Sequence, residues 1–365
     1  MNNKNPTPLT LSAAQDFLRA QSERIAVDPM TNSVFAMAQS LFQDVESGTT
    51  SVADLARFAG DLHLTLIEDR ADRFRKQHYD ADPKAGWSEV RAALEAHASK
   101  GLDAFKEAVE QNTGGIVFTA HPTFALSRAL RQAFTSHVTR PNKTSRHALI
   151  KHIREDGRAW NRSINLVGEH EEVQGALLHA AGAQQAYAAL VTQVARKAFP
   201  DTWRGLRPYL PTLASWVGYD LDGRTDIHWS QSLTFRLREK ADQLARYGDR
   251  LETMSGASKM ASLARLTVRL HAASKDADAD AALFAEDLTD PEHLVRAANA
   301  LTAHSKRMIL DATEITKVLD DAIPAADDSL AAALIAFRAE VESLQLGTAR
   351  IHLRVNAAQV RTVIN

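Results

Sequence analysis

The first residues with chemical potential are in the run Thr119-Ala120-His121-Pro122-Thr123, which directly follows a short apolar segment. Active sites of barrels and open parallel sheets lie at the carboxyl ends of strands. A histidine at such a place can exchange protons near neutral pH. His121 is therefore a candidate general base, and the alternative is a histidine that only caps the next helix.

A second group of polar residues follows another apolar segment. Asp220 and Asp222 stand two residues apart, flanked by Gly218. Gly223 and Arg224 come directly after them. Two carboxylates in a tight loop could orient a cation or hold neighbouring arginines. An ordinary turn with Asx-type hydrogen bonds has the same composition, and the loop considered alone favours that interpretation.

Arg354 lies inside a third apolar segment. Arginine is almost never fully buried without a partner. On a strand that faces a cleft, its guanidinium suits bidentate binding of a phosphate or a carboxylate. A buried ion pair with Asp220 or Asp222 is an equally supported alternative.

Three short strands are predicted to position these residues, at 114–118, 213–217 and 351–355. Each is apolar, as buried parallel strands are. Most of the remaining chain has a helical apolar period, with only 16 glycines and 11 prolines. The predicted fold is mainly α with short parallel strands, neighbours in one sheet, whose carboxyl ends point the same way, as in an α/β barrel.

Capping residues mark several helix starts. Ser51 and Asp54 resemble a capping box, Asp290 precedes a proline at the first helical position, and 327–329 offer further caps. The helix after Asp290 has a predicted buried face of Leu294, Val295, Ala298 and Leu301. The helix after 327–329 has a predicted apolar line of Leu330, Leu334, Phe337, Val341 and Leu344.

Three other features have ordinary interpretations. The small and acidic segment 272–280 predicts an exposed linker between helices. The run 169–172, Glu-His-Glu-Glu, is interpreted as a charged helix start or loop, because adjacent side chains point in different directions. The five tryptophans are scattered, which favours positions in the core.

Composition excludes several classes of protein. Lys+Arg is 43 against Asp+Glu 45, a balance that argues against a nucleic-acid binder. The absence of cysteine excludes a disulfide scaffold and a thiolate zinc site. No apolar run reaches the roughly 18 residues of a membrane helix, and the polar start lacks a signal-peptide core. We expect a cytoplasmic protein with no membrane or nucleic-acid partner.

Taken together, the motifs resemble those of phosphoenolpyruvate carboxylase. The segment 119–123 matches the family's catalytic-histidine motif T-A-H-P-T. The segment 215–223, S-W-V-G-Y-D-L-D-G, is similar to the family's S-W-M-G-G-D-R-D-G signature. The segment 351–354, I-H-L-R, is similar to the family's strand L-D-I-R.

This resemblance implies a fold and a reaction. The family is a helix-elaborated, eight-stranded α/β (TIM-type) barrel and usually a homo-oligomer. With Mg²⁺ or Mn²⁺ it joins bicarbonate to phosphoenolpyruvate, and the products are phosphate and oxaloacetate, which feeds the tricarboxylic acid cycle. By resemblance, His121 takes the proton from carboxyphosphate, and Arg354 binds phosphate. The substrate-binding loop would comprise Asp220, Asp222, Gly223 and Arg224.

The chain also departs from the family pattern. Leu221 replaces an arginine, which removes a phosphate-binding guanidinium, and Tyr219 replaces a glycine. The family's metal ligands lie in a later half that nothing here matches, so they are expected outside this chain. We expect 1–365 to be the N-terminal part of a larger enzyme, helical over 1–112 with the first barrel strands and long helical insertions over 113–365, and inactive alone. The alternative is a non-catalytic helical interaction or regulatory protein of this family.

Overall fold

The structure is a computed structural model of the chain. It describes residues 9–78, 83–119, 126–156, 165–222, 226–303 and 308–364. These residues are mainly helical, and three short strands form one parallel sheet in the order β1-β2-β3. This confirms the predicted class of a mainly α chain with short parallel strands. Over the same ranges, every helix is too short or too polar to cross a membrane.

The elements follow one another with few long connections. The helices are α1 Leu11–Arg24, α2 Ser33–Glu46, α3 Val52–His78, α4 Pro83–Ala98, α5 Leu102–Glu110, α6 Arg128–Thr139, α7 Lys143–Asp156, α8 Leu166–Ala198, α9 Trp229–Thr253, α10 Ala261–Phe284, α11 Pro291–Thr302, α12 Thr313–Ala322, α13 Asp328–Leu344 and α14 Ala357–Ile364. The strands are β1 Gly115–Phe118, β2 Thr212–Ser215 and β3 Arg350–Ile351.

The chain divides into two compact units. The first comprises Met1–Pro83 and Ala125–Ser163, and the second comprises Lys84–Phe124 and Ile164–Asn365. The first unit has a small core where α3, α6 and α7 meet. Its buried members are Ile67, Leu130, Ala133, Leu149 and Ile153. The second unit holds the sheet and the larger core.

Helix α13 runs through the core of the second unit. Its predicted apolar line is buried as expected, and Asp327 caps its first turn by accepting the backbone N–H of Ser329 and Leu330, both at 2.9 Å. Arg338 and Glu340 on its other faces are also buried, each 4% exposed. A helix buried on all sides must pair such charges inside the protein.

Arg338 finds its partners on two neighbouring segments. Its guanidinium donates to Asp320 Oδ1 at 2.6 Å and to the carbonyl oxygen of Leu206. The other carboxylate oxygen of Asp320 accepts from Arg207 at 2.8 Å. Asp320 therefore ties α13 to α12 and to the segment that leads into β2.

The predicted capping boxes and caps are confirmed. The Ser51 hydroxyl accepts the Asp54 backbone N–H at 3.1 Å, and the Asp54 carboxylate accepts the Ser51 N–H at 3.3 Å. These hydrogen bonds lower the pKa of Asp54. Asp290 accepts the Glu292 N–H at 2.9 Å, with Pro291 at the first helical position.

The predicted linker at 272–280 is wrong, because this segment is the middle of α10. Its alanines at positions 273, 277 and 281 are buried and share one face. Small side chains on that face let the backbones of α9 and α10 approach closely. A Cβ added to Gly248 of α9 would lie 2.6 Å from the His271 ring. The lack of large apolar residues thus reflects tight helix packing.

The predicted buried face of α11 is also wrong. Leu294, Val295 and Leu301 are 41%, 57% and 43% exposed, and Ala297 is the buried residue. The helix packs against α10 through this small side chain, so its larger apolar residues turn outward. The tryptophans divide as well, since Trp203 is buried but Trp87 and Trp229 are 40% and 44% exposed.

Candidate functional site

The carboxyl ends of the three strands lie side by side, as predicted. In the register of the sheet, Phe118 of β1 is opposite Ser215 of β2, and Ser215 is opposite Ile351 of β3. The Ser215 hydroxyl donates to the Phe118 carbonyl oxygen at 2.9 Å and accepts the Val217 N–H at 3.2 Å. This side chain joins the end of β1 to the loop that follows β2.

Backbone pairing continues beyond the strands and fixes Arg354 beside that loop. Asp220 and Arg354 form an isolated parallel bridge. The Arg354 N–H donates to the Tyr219 carbonyl oxygen at 3.1 Å, and the Arg354 carbonyl oxygen accepts the Leu221 N–H at 2.9 Å. The arginine is therefore held by both of its backbone polar groups.

The Arg354 side chain pairs with Asp220. Its Nη1 lies 3.4 Å from Asp220 Oδ2, and its guanidinium carbon lies 4.2 Å from the centre of the Trp216 ring. The Arg354 side chain is 49% exposed and that of Asp220 is 22% exposed. Of the two interpretations, the ion pair is formed, but it is not buried. Such exposed pairs contribute about 0.2–1 kcal/mol, and other guanidinium donors remain for an anion.

The other predicted site residues are not assembled here. Asp222 is exposed to solvent after this loop. The remaining predicted residues, His121, Gly223 and Arg224, lie outside the described residues. Their assigned roles stay predictions.

Beneath the loop lies a buried polar cluster centred on Glu239 of α9, which is 4% exposed. Its Oε1 accepts the Tyr219 hydroxyl at 2.8 Å and lies 2.9 Å from His170 Nε2. Gln174 also donates to Oε1 at 3.2 Å, and Arg236 donates to Oε2 at 3.1 Å. Burial, followed by the charge of Glu239, raises the pKa of Tyr219 far above its ordinary value. Tyr219 is thus a neutral hydrogen-bond donor that anchors the loop.

Gly218 is required by the packing of this loop. Its φ is +91°, and an added Cβ would lie 2.7 Å from Cδ2 of Phe235. The ring of Phe235 stacks on His170, with centroids 4.1 Å apart and planes 6° apart. The Ser232 hydroxyl donates to the Gly218 carbonyl oxygen at 2.7 Å. The positive φ and the close ring together exclude a side chain here.

Sequence reasoning missed the Glu239 cluster. The run 169–172 lies in the first turns of α8, as predicted for a charged helix start, but His170 is buried. His170 and Gln174 are four residues apart and share a helix face. That spacing was the available signal, but their acceptor Glu239 is 69 residues from His170.

The described strand ends do not form a metal site. Asp220 and Asp222 are the carboxylates there, and one oxygen of Asp220 already contacts Arg354. Mg²⁺ requires near-octahedral oxygen coordination. In the described part of the chain, three acidic or histidine ligands converge at Asp249, Glu252 and His271, on α9 and α10. That group shares no residue with the strand ends, and we assign no step to a metal.

A scan against protein-family models and a search of curated proteins both give no match for this chain. The likeness to phosphoenolpyruvate carboxylase therefore rests on the three motifs and on the residues that carry them.

Proposed function

We propose that the strand ends bind phosphoenolpyruvate and belong to a site that carboxylates it with bicarbonate, with oxaloacetate and phosphate as products. One observation supports this: the parallel order β1-β2-β3. It brings together the strand before T-A-H-P-T, the S-W-V-G-Y-D loop and Arg354, which are distant in sequence. In this proposal the sheet is part of an α/β barrel, with metal ligands outside this chain.

Arg354 is the proposed phosphate ligand. Its backbone is fixed on both sides, and its guanidinium is half exposed. Its contact with Asp220 is a single long one of 3.4 Å. A bidentate, charge-assisted contact with a phosphate is stronger, so we expect the substrate to compete with Asp220 for this side chain.

His121 is the proposed general base. Transfer of the phosphoryl group from phosphoenolpyruvate to bicarbonate yields carboxyphosphate and the enolate of pyruvate. His121 then takes the carboxyl proton of carboxyphosphate, and cleavage of the C–O bond releases CO₂ and phosphate. The enolate carbon attacks CO₂ and forms oxaloacetate. A positioned base of this kind contributes about 10²–10⁴ in rate.

A second candidate function is a non-catalytic relative with a regulatory or interaction role. Leu221 favours it, because this residue packs partly buried against the apolar cluster that includes Tyr219 and Phe235. The family has a cationic side chain at this position. Such a protein would bind the anion at Arg354 without turning it over, or would have lost binding altogether.

Calorimetric titration of the purified chain with phosphoenolpyruvate tests the binding proposal. We expect Arg354→Gln to weaken binding about tenfold or more, equivalent to about 1.4 kcal/mol. Arg350→Gln is the matched control, since Arg350 is exposed at the start of the same strand. Absence of binding by the wild type, or equal binding by Arg354→Gln, would contradict the proposal.

Oxaloacetate formation, measured through coupled malate dehydrogenase, separates the two candidates. In a preparation that turns over, His121→Asn should divert the product from oxaloacetate to pyruvate while phosphate release persists. An unchanged oxaloacetate yield would remove His121 from the mechanism. Tight binding of phosphoenolpyruvate without turnover in the full-length protein would favour the non-catalytic candidate.

A further inference from the structure

A second concave region of the larger unit lies between α4, α8, α9 and α13. Its volume is about 920 Å³, within the range of roughly 300–1,000 Å³ typical of ligand sites. Among the described residues that line it are three arginines, Arg91, Arg196 and Arg250, and no carboxylate. Its lining shares no residue with the strand ends.

The arginines give this cleft a net positive charge. Arg196 pairs with Asp328 at 3.2 Å, and Arg250 pairs with Glu340, but both carboxylates lie outside the lining. Asp328 is moreover shared with a further arginine, Arg204, at 2.8 Å. Burial lowers the pKa of Arg250 to about 10, so this side chain is still charged at neutral pH.

Arg91 is the arginine best placed to accept a ligand. The hydrogen-bond partner of its guanidinium is the side-chain oxygen of Gln193, at 2.5 Å. This partner is neutral, so the positive charge of Arg91 is not compensated there. A guanidinium has five donors in a planar fork, which suits a phosphate or a carboxylate.

The same cleft has an apolar wall. Trp87 lies one helical turn before Arg91 on α4 and is 40% exposed, and residues four apart share a helix face. Alanines at 189, 332 and 336 form part of the lining, and their small side chains leave the space open. An exposed indole beside an uncompensated cation suits a ligand with a flat apolar body and an anionic group.

We propose that this cleft binds an aromatic organic anion, whose phosphate or carboxylate contacts Arg91 and whose ring packs on Trp87. The site is independent of the strand ends and of phosphoenolpyruvate chemistry. Arg196 and Arg250 add favourable long-range charge. The alanine-lined floor accommodates the ring without displacing a larger side chain.

The probe is 1-naphthyl phosphate, titrated into the full chain by calorimetry. We expect saturable binding at one site. Neutral 1-naphthol and inorganic phosphate should each bind at least tenfold more weakly, because each lacks half of the recognised structure. Equal binding of 1-naphthol would show that the arginines play no part and would overturn the proposal.

Variants locate the site. Arg91→Gln should weaken 1-naphthyl phosphate binding at least tenfold, and Trp87→Leu at least fivefold, with circular dichroism unchanged. Arg265→Gln is the matched control, an exposed arginine of α10 outside the cleft, and should bind as the wild type does. No binding by the wild type, or undiminished binding by Arg91→Gln and Trp87→Leu, would refute the assignment.

Discussion

Tyr219→Phe removes one hydroxyl from the buried cluster around Glu239 and keeps the ring. Both residues are 4% exposed, and their hydrogen bond is 2.8 Å long. A hydrogen bond to a charged group contributes about 1.5–3 kcal/mol to stability. Glu239 keeps its other donors, so its charge is not left bare. We therefore expect the free energy of unfolding of the second unit to fall by about 1.5–2 kcal/mol, the lower part of that range.

Tyr247→Phe is the matched control. Tyr247 is fully buried in the same unit, and its hydroxyl donates to the carbonyl oxygen of Gln345 at 2.9 Å. The acceptor is neutral, and such bonds contribute about 0.5–1.5 kcal/mol. The excess loss in Tyr219→Phe over Tyr247→Phe reports the charge of the Glu239 acceptor.

Urea unfolding followed by circular dichroism measures both losses as shifts of the midpoint at constant slope. Combining Tyr219→Phe with Glu239→Gln completes a double-mutant cycle. We expect a coupling of about 0.5–3 kcal/mol, as for residues in direct contact. Additive losses in the cycle, or a Tyr219→Phe loss no larger than that of the control, would refute the reasoning.

Two further predictions concern backbone strain and pH. Gly218→Ala should lower the unfolding free energy by about 2 kcal/mol or more, because a methyl group at positive φ meets a phenylalanine ring; Gly114→Ala, at positive φ in open space, should cost less, and equal thermal shifts would contradict this. Burial raises the pKa of Asp320, but hydrogen bonds from Arg207 and Arg338 outweigh it and the net pKa is lowered. A carboxyl whose pKa is depressed on folding stabilises the protein above its unfolded pKa of about 3.9. Asp320→Asn should therefore destabilise the protein at neutral pH, and the gap to the wild type should narrow as the pH falls through the folded pKa; a gap independent of pH in urea titrations would count against the ion pair.

The strands and their order were predictable because their signals are local. Short apolar segments bounded by glycine and polar turns gave all three strands to within a few residues. The third is shorter than predicted, Arg350–Ile351, but its pairing resumes at Arg354. Helix caps were predictable for the same reason, since Ser51, Asp290 and Asp327 act within one turn.

The remaining features depend on contacts between distant segments. Nothing in the sequence near Glu239 indicates that its partners come from α8 and from the loop after β2. Helix α10 was mistaken for a linker because its buried side chains are alanines, which a period of large apolar residues does not reveal. The α11 face failed for the opposite reason, since an amphipathic period does not ensure that a neighbouring element covers it.

The position of α13 at the centre of the second unit has a consequence for the order of folding. Its buried Glu340 accepts a hydrogen bond from Gln185 of α8, a residue 155 positions earlier in the chain. Helix α8 must therefore leave the ribosome well before its central partner is made. Contacts of such long range slow folding, and until they form, apolar surface stays accessible to chaperones and proteases. We expect ribosome-bound chains stalled before α13 to be cleaved readily in the second unit, and chains extended past it to become resistant.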